Sequence, residues 1–69
     1  MARHHWIITL QWHDAEGQHT KTLDGTWNAN PSDTRQDIYR HALRWSTERL
    51  DAERADPAVL LFDTAPDQL

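Results

Sequence analysis

A chain of 69 residues makes one domain, and a domain this small buries only about 60% of the surface its unfolded form exposes. It has no cysteine, so disulfides and thiolate zinc sites are excluded as staples; packing around its four tryptophans, a histidine or carboxylate metal site, or association with a second copy remain. The net charge of −4 lacks the basic balance of a nucleic-acid binder, and no run approaches the roughly 20 apolar residues of a membrane span, so a cytoplasmic chain is expected.

Residues 5–13 alternate. Trp6, Ile8, Leu10 and Trp12 fall on one side, and His5, Ile7, Thr9, Gln11 and His13 on the other. That period of two, in aromatic and β-branched residues, predicts a strand with its first set facing the core. Asp14 to Gln18 reads as a turn in which Gly17 supplies a positive φ. A return strand is expected over about residues 18–28, rich in threonine, with Leu23 and Trp27 on one face. Asp24-Gly25 interrupts it and predicts a bulge or bend.

After the loop 28–33, Thr34 and Asp37 have the spacing of a capping box, with Ser32 and Asp33 as rival caps. The helix should run from Thr34 to Ala55 and end at Asp56-Pro57. Ile38, Ala42 and Trp45 form one apolar stripe; Tyr39, Leu43, Ser46 and Leu50 widen it. Asp37, Arg40, His41, Arg44, Glu48 and Asp51 occupy the opposite side. Ala58 to Phe62 is the third strand, and 1–4 and 64–69 read as flexible ends of a single domain.

The order strand, strand, helix, strand predicts an α+β fold of type ββαβ. Its three-stranded antiparallel sheet has order 2-1-3, with one helix packed on one face. The expected core is Trp6, Ile8, Leu10, Trp12, Leu23, Trp27, Ile38, Ala42, Trp45, Leu60 and Phe62. Val59, Leu60, Leu61 and Phe62 are consecutive and apolar, which is unusual for an edge strand. The simplest remedy is a twofold dimer or a protein partner paired along that edge; the alternative is cover by the C-terminal tail or the helix end.

Little in the sequence points to catalysis. Ser32 reads as a cap, Ser46 as a residue bonding back to its own helix, and neither sits in a nucleophile elbow. With only Gly17 and Gly25 there is no phosphate-binding loop, so no nucleotide cofactor is expected. His13 and His19 flank the turn as candidate metal ligands, with Asp14 or Glu16 as a third; two solvated histidines are the plainer reading. Arg40 and Arg44 could contact nucleic acid, but acidic residues are mixed into the same helix. The expectation is therefore a non-enzymatic interaction module, without cofactors, that self-associates through Val59, Leu60, Leu61 and Phe62. The alternative is a nucleic-acid-binding regulator using the arginine-bearing helix.

Overall fold

The computed structural model describes residues 2–52 and 55–67. Strand β1 spans Ala2–Asp14, β2 Gly17–Ala29, helix α1 Arg35–Arg49 and β3 Ala58–Pro66. The sheet order is β2-β1-β3 with both ladders antiparallel, and α1 lies against one face. This is the ββαβ arrangement that the residue pattern predicts.

The β1–β2 ladder runs without interruption from Ala2 opposite Ala29 to Asp14 opposite Gly17. Gly17 has φ +119°, while Ala15 and Glu16 stay at negative φ. The glycine thus takes up the twist that a two-residue connection demands. Oδ1 of Asp14 accepts the Glu16 amide at 2.8 Å and fixes the turn.

Asp24-Gly25 does not break β2, contrary to expectation. Gly25 pairs directly with Trp6, and a Cβ at position 25 would stand 2.5 Å from Cζ2 of that indole. The glycine is there to let the ring lie across the strand. The irregularity falls in β3 instead. Thr9 faces Leu61 and Leu10 faces Val59, so Leu60 is the extra residue of a β-bulge.

Helix α1 begins at the predicted box. The Thr34 side chain accepts the Asp37 amide at 3.2 Å, and Asp37 accepts the Thr34 amide at 2.8 Å. The Thr34 amide, and after it the Thr34 hydroxyl donating to Asp37 Oδ2 at 3.2 Å, hold the Asp37 carboxyl below the usual aspartate pKa. The far end comes six residues sooner than predicted. Leu50 is the C-cap, and Asp51 turns left-handed at φ 54°. Its amide bonds the Glu48 carbonyl at 3.2 Å and the Ala52 amide bonds Thr47 at 2.9 Å, the paired bonds of a Schellman motif. Ala52 is then buried beneath the helix end. Glu53 and Arg54 lie outside the described residues.

The expected loose ends are partly built into the sheet: β1 starts at Ala2, and β3 runs to Pro66, opposite His4. Arg3 Nε bonds Asp67 Oδ2 at 2.8 Å, and the Asp67 amide bonds the Arg3 carbonyl at 2.9 Å. Met1, Gln68 and Leu69 lie outside the described residues.

The core lies between the sheet and α1. Trp6, Ile8, Leu10, Trp12, Ile38, Ala42 and Ala52 are buried, and Leu23, Trp27, Trp45, Val59 and Phe62 pack around them. Trp6 meets Trp45 edge-on at 5.5 Å. One expected core residue is wrong. The bulge swings Leu60 out, and Val59 takes its place beside Leu10. Ser46 is fully buried, and its hydroxyl finds no partner among the described residues, not even the carbonyl of its own helix.

Candidate interaction site

The outer edge of β3 is where the apolar surface concentrates. Leu60 and Leu61 are 54% and 51% exposed, while Val59 and Phe62 pack inward, so the four-residue apolar strand divides into two core and two surface residues. The Asp67-to-Arg3 bond sets the phase of the β1–β3 ladder: Leu61, Asp63 and Ala65 turn their amides and carbonyls toward β1, and Phe62, Thr64 and Pro66 turn theirs outward. Those outward groups are blunted. The Arg35 guanidinium donates to the Phe62 carbonyl at 3.1 Å, Oδ1 of Asp63 accepts the Thr64 amide at 2.9 Å, and Pro66 has no N–H. Charge, self-bonding and proline are the usual protections of a sheet edge.

Beside this edge, Arg35, Gln36, Tyr39 and Phe62 line an open notch of about 330 Å³. Tyr39 stands edge-on to Phe62 at 5.1 Å, and the Arg35 guanidinium lies 5.2 Å above the same ring. The notch lies on the helix side of β3, with Arg35 at its rim, while Leu61, paired with Thr9, faces the other side of the sheet.

The histidine pair does not form. His13 faces Gln18 and His19 faces Trp12, which puts the two histidines on opposite sides of the sheet. A shift of one residue in register reverses a face, and the turn holds two residues rather than the five expected. His19 instead stacks on Trp12 at 5.3 Å and bonds Oδ1 of Asp14 at 2.9 Å. That bond, with the Glu16 amide second, holds the Asp14 carboxyl below its ordinary pKa. Asp14, Glu16 and His19 keep their ligand atoms within 4.8 Å of one another, so among the described residues these three, without His13, could hold a metal.

His41 is not a surface residue of the polar helix face. Its ring lies 4.2 Å from Trp27 and 6.3 Å from Trp6. Burial there pushes its pKa below the ordinary histidine value, and the Arg44 charge adds to the effect. Arg40 and Arg44 are exposed, and neither makes an ion pair within 4 Å among the described residues. Arg49 lies over Trp45 at 4.4 Å.

Sequence reasoning missed a cavity of about 670 Å³ where the 30–34 loop and the start of α1 meet the ends of β1 and β3. Asp33 shapes it, accepting the Asn30 amide at 2.8 Å and the Trp27 indole N–H at 3.3 Å. The aspartate three after Asn30 is the available signal, although its place just ahead of the helix also suits a cap. His4 lines the cavity, and its Nδ1 is buried with no hydrogen-bond partner among the described residues.

Compared with protein-family models, with curated proteins and with solved structures, the chain matches none. Among the described residues no helix is long and apolar enough to cross a membrane.

Proposed function

We propose that this chain is a non-enzymatic interaction module of the cytoplasm, and that a protein partner docks on the Leu60–Leu61 corner of β3. The exposure of those two adjacent leucines carries the reading, because large apolar side chains so exposed on so small a domain suit a partner. The blunted edge above them disfavours a long ladder between two β3 strands, the dimer expected from the sequence. Side-chain contact needs no ladder. A partner's apolar residue can fill the notch over Tyr39 and Phe62 while an acidic one meets Arg35.

The reading is tested with Leu60→Asp combined with Leu61→Asp. Both positions are exposed, so the melting temperature should stay within a few degrees of the parent. Proteins that the native chain retains from its host cytoplasm should be lost; equal retention by the variant would sink the proposal.

A second reading, nucleic-acid binding through Arg40 and Arg44, is favoured by the exposure of both residues, neither of which makes an ion pair within 4 Å among the described residues. Binding to a single-stranded oligonucleotide should then weaken steeply with added salt, and no binding at low salt removes it.

A further inference from the structure

We propose that the outer edge of β2 is a seam for a second copy of this chain, pairing antiparallel about a twofold axis at Leu23. This goes beyond the docking corner on β3, which lies at the opposite edge of the sheet and stays free in the dimer.

The two edges differ in how they are finished. Odd-numbered residues of β1 spend their backbone groups on β3, as the Asp67-to-Arg3 bond establishes, so its even-numbered residues bond to β2. In β2 the outward groups are therefore those of Gln18, Thr20, Thr22, Asp24, Thr26 and Asn28. The strand holds 13 residues in unbroken register, with no bulge and no proline. Among the described residues no side chain hydrogen-bonds the backbone of 18–28. A long regular edge left bare is a template for another strand.

The side chains select which strand. Antiparallel pairing centred on Leu23 overlaps the whole of Gly17–Ala29 with its copy. On the open face Thr22 meets Asp24 of the second copy, Thr20 meets Thr26, and Gln18 meets Asn28. Every pair can hydrogen-bond, and no like charges meet. On the helix side Leu23 meets Leu23 across the axis, Lys21 passes over Gly25, and His19 reaches Trp27. Registers centred on Lys21 or Asp24 would set like charges face to face. The two charges on this edge, which elsewhere protect against pairing, thus exclude those two registers, and of the rest only the one centred on Leu23 overlaps the full 13 residues of the strand with its copy. A contact of this kind uses the same patch on both subunits and closes on itself, giving a six-stranded sheet with both helices on one face.

Light scattering over a concentration series, from micromolar to millimolar, tests the seam. The native chain should reach about twice its 8.1 kDa mass. Thr20→Glu with Thr26→Glu places carboxylates opposite one another twice in the seam, at exposed positions that leave the monomer folded, and should return the mass to one chain. Thr20→Glu with Thr26→Lys makes the same contacts complementary and should restore the dimer. Leu61→Arg should leave the mass unchanged while weakening partner capture at β3, so the two readings fail separately. A native chain that stays monomeric throughout overturns the seam. So does a dimer that survives the doubly acidic variant, or one that Leu61→Arg dissolves.

Discussion

The Cβ of any other residue at position 25 would stand 2.5 Å from Cζ2 of Trp6, and that indole is the largest buried side chain in the core. It cannot retreat, because Trp45 meets it edge-on at 5.5 Å. Gly25→Ala should therefore cost about 2 kcal/mol, the usual range for overpacking, and lower the melting temperature by on the order of 10 °C in a domain of this size. An unchanged melting temperature would mean that the indole is free to shift. His41 makes the second argument at this scale. Its folded pKa is depressed, chiefly by burial against the tryptophans and then by Arg44. The folded state therefore takes up its proton less readily than the unfolded state does. Stability is intact above the unfolded value, about 6.5, and falls as pH drops through it toward the folded pKa. His41→Phe keeps the ring contact and removes the proton, so its urea midpoint should fall less than the native one between pH 7.5 and 5. Parallel curves would show that His41 is not the group responsible. Neither residue announced its role in the sequence. Gly25 looked like a bulge because Asp-Gly favours turns, and His41 looked solvated because the helical wheel alone does not say how far Trp27 leans over from β2.

Elements were legible where one periodicity ruled them. The alternation in β1 gave the central strand its face, and Thr34 with Asp37 gave α1 its start. The pattern failed where backbone geometry overrode it. The Leu60 bulge reversed one face assignment within β3, and with it divided the candidate docking residues into two exposed and two partly buried against the core. The end of α1 was misplaced because Asp51, not a glycine, adopts the left-handed conformation at φ 54°. Aspartate tolerates that region better than most residues, but glycine does so without strain. Asp51→Gly should consequently stabilise the fold by about 0.5–1 kcal/mol, read as a higher urea midpoint at unchanged slope. A loss of stability instead would show that the carboxylate makes a compensating contact. Ala52 has a bearing on the same point: it is buried only because the chain turns back at Asp51, so the cap belongs to the core as well as to the helix.

At the scale of the whole molecule, β1 is the only strand with neighbours on both sides, and one of those neighbours comes from the far end of the chain. The β1–β2 hairpin is local and closes across two residues. The β1–β3 ladder, in contrast, waits for β2, the loop and α1 to be laid down, and its closure carries the entropy of a loop that includes most of the chain. Such non-local pairing is what slows small domains. The start of β1 and the residue after β3 are already held together, with Arg3 bonded to Asp67 at 2.8 Å. A circular permutant that joins the ends through a short glycine linker and opens between Pro31 and Ser32, both exposed, would have the order α1-β3-β1-β2. Both ladders would then be hairpins between consecutive strands. The permutant gives up the Asp33 bond to Asn30 across the new break, so its equilibrium stability should fall somewhat. Its folding rate in stopped-flow should nevertheless rise, by about tenfold or more. The opposite result, a permutant folding at the native rate or slower, would place the barrier in docking α1 on the sheet, and make the few helix–sheet contacts, Trp45 on Trp6 foremost, the step that decides folding.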